Sequence, residues 1–331
     1  MFFALKEIRR SLGRFALLTT AVGLLVLLLL FFQAVAGTLT LGITGAVQSS
    51  AADVFVYDAR ARLNPQASIL PPQAVQQVTM VDGVAAAAPI GIGVFTATAT
   101  TDDTATTQAA VDVTVFGGDP TGPSVPRTLS AGRLPRAEGE AIFSGSSLDS
   151  SFALSDQIAV GPQVLTVVSV ADDAAFNVAP TFYVPFDTYA GMVQERAGSD
   201  IDVPLSLVGV ALDEDAGAQQ VAAAITDSVA GVQAVDRGTA VTELPGAGQI
   251  TQSFGILYLL LFVVVTIVTG VFFLILTVQK SDALVLLRAV DASRADVVRP
   301  VLIQVVIIVG LGAIRRVLNV DPVPATTKAG I

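Results

Sequence analysis

The sequence contains neither cysteine nor histidine. Without cysteine there is no disulfide framework and no thiol chemistry. Without histidine there is no Ser-His-Asp triad, no imidazole base and no histidine ligand for zinc. The chain also has no G-x-x-x-x-G-K-[ST] motif, so it does not hydrolyse nucleotides through a P-loop. These absences argue against an enzyme, and we expect no catalytic residue, no metal and no cofactor in this chain.

Two weaker motifs have simpler interpretations. The serine-rich stretch at 144–151 lacks a nearby base, so we interpret it as a polar turn. Asp213, Asp215 and Gly217 resemble the opening of a calcium-binding loop, but Ala224 occupies the position of the bidentate glutamate. We therefore expect Asp215 to cap a helix instead of binding calcium.

Charge is also absent from two long segments. Residues 15–37 and 254–278 are almost wholly apolar, and the mean hydropathy of the chain is +0.70. Each segment exceeds the roughly 20 residues that a helix needs to cross about 30 Å of hydrocarbon. The first is too long for a signal peptide, whose apolar core has about 7–15 residues. The sequence therefore predicts transmembrane helices at 15–37 and 254–278.

The distribution of charge predicts the orientation of these helices. Residues 37–250 contain seven arginines, no lysine and 23 acidic residues. Basic residues flank the two spans on their other sides: Lys6, Arg9, Arg10 and Arg14, and then Lys280, Arg288, Arg294 and Arg299. By the positive-inside rule, the N-terminus is cytoplasmic and residues 38–250 are extracytoplasmic. The acidic balance argues against nucleic acid as a partner.

Residues 1–14 precede the first span. They read as an amphipathic helix along the inner membrane surface, with an apolar face formed by Phe3, Leu5, Ile8 and Leu12. An ordinary charged membrane flank accounts for the same residues.

The region between the spans has a mixed pattern. At 52–59 the residues alternate as in a strand, with Val54 and Val56 on one side and Phe55 and Tyr57 on the other. Similar strand–helix–strand patterns occur early and late in this region, at 52–59, 69–84 and 91–101, and at 205–212, 215–232 and 232–238. Residues 111–190 contain short β segments separated by turn residues. We predict an α-helical membrane protein with a large α+β extracytoplasmic domain, made of two strand–helix–strand units that pack together and a small β-rich insertion.

The segment 279–299 follows the second span. It reads as two helices separated by a break, the second beginning with a capping box from Ser293 to Asp296. A charged stop signal does not require exposed leucines and arginines on one side of a helix. We predict a cytoplasmic contact surface formed by Lys280, Leu284, Leu287, Arg288, Ser293 and Arg294.

The third apolar segment conflicts with this topology. Residues 300–314 reach roughly 22 Å as a helix, less than the hydrocarbon thickness. A full crossing would also place the basic tail at 315–331 outside, against the positive-inside rule.

Several segments resemble the FtsX/MacB-type ABC transporter permeases. "QKSDALVLLRAVDASRADVV" is similar to their QK-x-x-E-x-x-x-LRA-x-G-AS-R segment, and "ALKEIRRSLGRFALLTTAVGL" is similar to their start. "VFGGDP", "LSAGRLP", "TVVSVADDAAF" and "APTFYVPF" resemble elements of their MacB-like periplasmic core domain, and "IRRVLNVDPVPA" resembles their ending. Asp291 replaces the family's usual glycine, and 300–314 resembles fragments of the third and fourth helices joined together.

The resemblance implies a multi-pass permease subunit in the cell membrane that forms a homodimer or heterodimer. A separate ABC-type ATPase subunit would contact the segment after the second helix. The extracytoplasmic domain would pass movement to a substrate or to an extracytoplasmic protein. The sequence thus predicts a permease of the mechanotransmission or exporter type. The alternative is a membrane-anchored extracytoplasmic sensor or scaffold without an ATPase partner.

Overall fold

The computed structural model describes residues 12–99, 110–145, 152–198 and 201–279. The predicted segments at 300–314 and 315–331, all of the predicted segment 279–299 beyond its first residue, and all but the last residues of the N-terminal segment 1–14 lie outside them. By its internal contacts the chain divides into two units, Met1–Leu25 with Leu261–Ile331, and Val26–Leu260. In the first unit the described residues belong to two helices, and the second unit contains a mixed sheet domain.

Two long apolar helices border the sheet domain in the sequence. They are α1 (Leu12–Ser49) and α6 (Ala247–Gln279). Among the described residues, these two helices are long and apolar enough to cross a membrane, over Gly23–Ser49 and Ala247–Val268. Helix α1 continues without a break past Gly37, where the predicted first span ends.

The strand–helix–strand units form a four-stranded platform. The early unit is β1 (Val54–Asp58), α2 (Gln73–Thr79) and β2 (Val84–Ala99). The late unit is β9 (Leu207–Leu212), α4 (Ala218–Ser228) and β10 (Val232–Asp236). The strand order is β10-β1-β9-β2, and each neighbouring pair is antiparallel. The two units therefore interleave as split βαβ motifs, and the prediction that they pack together is confirmed.

The predicted alternation in β1 is also confirmed. Val54 and Val56 lie in a buried cluster with residues of α2 and α4, whereas Phe55 and Tyr57 lie in a different cluster on the other face. This separation follows from the two-residue repeat of a strand. Both faces of β1 are therefore covered.

Two predictions in these units were wrong in detail. Asp215 does not cap α4, because the helix begins at Ala218 with Gly217 as its N-cap and no side-chain capping bond. Asp215 lies earlier, in a turn closed by a hydrogen bond from Ala216 N to Asp213 O (3.0 Å). Strand β2 begins at Val84 instead of residue 91, because its alanine-rich start pairs with β9.

The β-rich stretch at 111–190 builds a barrel onto β2. Its strands are β3 (Val111–Gly118), β4 (Ala131–Gly132), β5 (Glu140–Ser144), β6 (Gln157–Val160), β7 (Gln163–Val170) and β8 (Thr181–Pro185). The pairing β2-β3-β8-β5-β7-β6 returns to β2, which closes a six-stranded ring. Because β2 has 16 residues, it serves both the platform and the barrel.

Helix α3 (Phe186–Ala197) packs against β2 and β3 through Tyr189, which lies in the buried cluster of the barrel with Phe95 and Val115. Gly91 and Gly117 are paired across these strands. A Cβ atom at either glycine would overlap the Tyr189 side chain. The missing side chains therefore create the space that the tyrosine ring occupies.

A surface ion pair near the barrel gives a pH-dependent contribution to stability. Arg133 and the backbone N–H of Arg136 bond to the Glu140 carboxylate and lower its pKa from 4.5 to about 2. Because the pKa is lowered in the folded state, this stabilisation is present above about pH 4.5 and is lost as the pH falls towards 2.

We expect Glu140→Gln to lower the melting temperature at pH 7 and to have progressively less effect between pH 4.5 and 2. Thermal unfolding of the full chain in detergent across this range measures the difference. Glu138→Gln, two residues away on the exposed surface, is the control. A pH-independent difference for Glu140→Gln would contradict the role of the ion pair.

Candidate functional site

The residues predicted to form the contact surface lie outside the described residues. These are Lys280, Leu284, Leu287, Arg288, Ser293 and Arg294. The cytoplasmic contact surface therefore stays a prediction. The described residues instead contain a structural site that the sequence patterns did not indicate, at the point where α1 enters the sheet domain. We call it the junction, and it comprises residues 42–53, the loop at 171–180, α5 (Arg237–Thr242) and the start of α6.

The last turns of α1 are buried in the sheet domain. Ile43, Ala46 and Val47 retain 7%, 4% and 2% of their exposure. They belong to one apolar cluster with Phe55 and Tyr183 from the sheet. The same cluster contains Ala240, Leu244 and Ala247, which lead into α6. Helices α1 and α6 therefore meet the domain in a single shared core.

The loop at 171–180 is bonded to the backbone of α1. Gly42 O accepts a hydrogen bond from Val178 N (2.7 Å), and Ala46 N donates to Ala175 O (2.9 Å). In an α-helix, the N–H of residue 46 donates to the carbonyl oxygen of residue 42. The loop therefore bonds to the two backbone groups that form one hydrogen bond of the helix. Gly45 faces the loop so closely that a Cβ atom there would overlap Asp173 O. The absence of a side chain at Gly45 is what permits this contact.

The segment that joins α1 to β1 is held by two arginines. The Asp53 carboxylate contacts the guanidinium groups of Arg127 (2.5 Å) and Arg237 (2.7 Å). Arg127 N donates to Ser49 O at the end of α1 (2.8 Å), and Arg237 Nε donates to Ala52 O (2.7 Å). The bond to Ser49 O satisfies one of the carbonyl groups that a helix end leaves without partners, and the bond to Ala52 O holds the segment that follows α1. The end of α1 is thereby fixed relative to β1 and α5.

Electrostatics explain why Asp53 is needed between the arginines. Partial burial lowers the pKa of Arg237, the positive charge of Arg127 lowers it further, and Asp53 opposes both effects. Arginine remains charged throughout the physiological range, so the site needs a negative charge between the two cations. Asp53 supplies it.

The interior of the junction is closely packed. Tyr183 is buried and its hydroxyl donates to Ala174 O (2.5 Å), while burial strongly raises the pKa of both Tyr57 and Tyr183. A cavity of about 10 Å³ beside Ala46 and Val47 has room for about one water molecule. Within the described ranges there is no group of three or more acidic, cysteine or histidine residues that could hold a metal ion. The described residues of the junction therefore form a closely packed core with space for no more than about one water molecule.

Sequence reasoning missed the junction because its partners are far apart. Asp53 is 74 residues from Arg127 and 184 residues from Arg237. Gly42 and Gly45, at the end of a long apolar helix, were the available signal, because small residues permit close approach of another backbone.

No protein-family model and no curated protein matches this chain. Among solved structures, the periplasmic region of MacB from Actinobacillus actinomycetemcomitans is similar at 10% identity and a TM-score of 0.43, over 58% of this chain and 92% of that one. The extracellular domain of the noncanonic ABC-type transporter YknZ from Gram-positive bacteria is similar at 16% identity and a TM-score of 0.36, over 56% and 99%.

A domain of a permease protein from Porphyromonas gingivalis is similar at 12% identity and a TM-score of 0.35, over 56% of this chain and 88% of that one. TM-scores below 0.5 do not establish a shared fold, so the functional proposal below rests on the chain's own residues. The structural neighbours are periplasmic or extracellular domains of MacB, YknZ and a permease.

Proposed function

We propose that this protein is the permease subunit of an ABC transporter of the mechanotransmission or exporter type. Its membrane helices would pass movement, driven by ATP hydrolysis in a separate subunit, to an extracytoplasmic sheet domain. The observation that carries the proposal is the junction, in which one helix continues from an apolar span into the core of the sheet domain.

The length of α1 supports this role. Its 38 residues correspond to roughly 57 Å, almost twice the hydrocarbon thickness of about 30 Å. A continuous helix transmits displacement along its axis, whereas a flexible linker would absorb it. Because Ile43, Ala46 and Val47 are packed in the core, the end of α1 cannot shift without moving or repacking the sheet domain.

The second apolar helix is bound to the same structure. Ala247, at the start of α6, is 5% exposed and shares the apolar cluster of the junction. Farther along α6, the Tyr258 hydroxyl donates to Phe32 O of α1 (3.2 Å). Displacement of either helix within Val26–Leu260 therefore acts on one common core.

The ATPase partner is inferred from the segment after α6. Leu284, Leu287 and Arg288 would dock the ATPase on the cytoplasmic side, as the resemblance to FtsX/MacB-type permeases implies. Lys280 would mark the membrane exit, and Ser293 and Arg294 would begin the next helix. The proposal includes a dimer of permease subunits and an extracytoplasmic substrate or protein that receives the movement.

We expect the full chain to co-purify with an ABC-type ATPase subunit when it is co-expressed with candidates from the same cell. The double variant Leu287→Asp plus Arg288→Glu is expected to lose about 90% of the bound ATPase, because it removes an apolar contact and reverses a charge. Quantification of the ATPase in the purified membrane fraction measures this loss.

The matched control is Leu154→Asp plus Arg136→Glu, which makes the same changes at exposed positions of the sheet domain. It is expected to retain the ATPase. Equal retention by both double variants would reject the docking surface. If no candidate ATPase co-purifies even with the unmodified chain, a membrane-anchored sensor or scaffold becomes the better account.

A further inference from the structure

The ion-pair cluster of the junction holds more positive than negative charge. Arg127 and Arg237, which we call the arginine pair, both donate through Nη2 to a single oxygen, Asp53 Oδ1 (2.5 and 2.7 Å). The next carboxylate along the chain, that of Asp236, instead accepts hydrogen bonds from Thr239 N (3.1 Å) and Thr239 Oγ1 (2.7 Å). Within the described residues, one carboxylate therefore pairs with two guanidinium groups, and one positive charge has no counter-charge.

The electrostatics of Arg237 show the same excess of positive charge. Partial burial is the largest influence on its pKa, the positive charge of Arg127 is the next, and both lower it. Asp53 raises the pKa, but by less than these two effects together. A lowered pKa means that the charged form of Arg237 is disfavoured by its surroundings in the folded protein. A second negative group beside the arginine pair would offset this cost.

The arginine pair has donors that can receive such a group. Each guanidinium group carries five N–H bonds. Towards the described residues, only Arg127 Nη2 and Arg237 Nε and Nη2 donate, to Asp53 and to the carbonyl oxygens of Ala51 and Ala52. This leaves Arg127 Nε and Nη1 and Arg237 Nη1 for another acceptor. The side chains of Arg127, Asp53 and Arg237 are 49%, 34% and 26% exposed, so a solute can reach them.

We propose that the arginine pair binds one oxyanion, a carboxylate or a phosphate group, beside Asp53. The fork of N–H bonds on a guanidinium group matches the two oxygens of such an anion, which favours it over chloride. The bound group supplies the missing negative charge and holds Arg127 and Arg237 together. It thereby strengthens the connection between the end of α1 and α5. The proposal concerns a ligand site and holds whether or not an ATPase binds.

The melting temperature of the full chain in detergent tests the proposal. We expect sodium phosphate at about 20 mM to raise it by about 2–4 °C relative to sodium chloride of equal ionic strength, because a ligand that binds only the folded state stabilises it. The peptide Glu-Glu-Glu, at the same ionic strength, represents an acidic segment of a partner protein. A larger shift with phosphate assigns the site to a free anion, and a larger shift with the peptide assigns it to acidic side chains of a partner.

Three variants show whether the shift comes from this site. Arg127→Gln is expected to lose it, whereas Arg60→Gln, at an exposed arginine beyond the other end of β1, is the matched control and should keep it. Asp53→Asn leaves two cations without a counter-charge, so its shift with phosphate is expected to be about twice as large.

The proposal would be overturned by equal shifts in the unmodified chain and in Arg127→Gln, which would indicate a general salt effect. The absence of a shift with either probe would overturn it as well. If Arg127→Gln does not fold, the response of Asp53→Asn decides, and a shift no larger than that of the unmodified chain would count against the site.

Discussion

Gly45→Ala is expected to lower the free energy of unfolding by about 2–3 kcal/mol, because the new methyl group overlaps backbone atoms of the loop at 171–180. The closest atoms are Asp173 O and Ala175 O, and neither can rotate away as a flexible side chain would. The loop must separate from α1, which would lengthen or break the bonds at Gly42 O and Ala46 N. Denaturant unfolding in detergent and amide hydrogen exchange at Ala46 measure the two effects.

Gly37→Ala is the matched control on the same helix. No described atom lies within 4 Å of a Cβ built at Gly37. Alanine is also the better helix former by about 0.5–1 kcal/mol, so this variant should be neutral or slightly more stable. If Gly45→Ala were equally harmless, the contact between α1 and the loop would not be tight, and the junction would lose its main support.

The elements that could be predicted from sequence are those with local patterns. The alternation from Val54 to Tyr57 defines both faces of β1 because a strand repeats every two residues. Val221 and Ile225 lie four residues apart in α4 and are both buried, as an amphipathic helix requires, whereas Val229 is buried but lies just after the helix ends at Ser228. The two long apolar helices were predicted from the length of their uncharged segments.

The elements that could not be predicted depend on contacts between distant residues. The alanine-rich start of β2 favours a helix by propensity, yet Ala87 and Ala88 pair with β9, more than 100 residues later. Barrel closure depends on Ala97 pairing with Val160, and no local pattern indicates that register. The two ion pairs of Asp53 also depend on residues far away in the sequence. Arg127 lies in a loop, and Arg237 begins α5.

The junction holds the end of α1 at two separate places. Asp53 and its arginines fix the end of α1, and the loop at 171–180 holds its side, so the helix is constrained in two directions. Tyr57 and Tyr183 remain neutral because burial raises their pKa. We therefore expect the packed core of the junction to be insensitive to pH near neutrality.

The second large effect concerns the continuity of α1. Insertion of Gly-Ser-Gly-Gly between Gly37 and Thr38 is expected to abolish movement of the sheet domain in response to ATP, because a flexible segment absorbs displacement. Insertion of four alanines at the same place preserves a helix and shifts it by about one turn, so it should retain most of the response. Both variants keep the junction and the segment at 279–299 unchanged.

The most direct measurement uses the full chain in nanodiscs with the proposed ATPase subunit. A donor fluorophore on Met80→Cys, at a position 83% exposed in a chain without native cysteine, reports energy transfer to acceptor-labelled lipid headgroups. A coupling function predicts that ATP changes this transfer in the otherwise unmodified chain and in the alanine insertion, but not in the Gly-Ser-Gly-Gly insertion. Mechanical coupling through α1 would be contradicted if ATP still changed the energy transfer in the Gly-Ser-Gly-Gly insertion. It would also be contradicted if ATP were hydrolysed and the energy transfer changed in none of the three proteins.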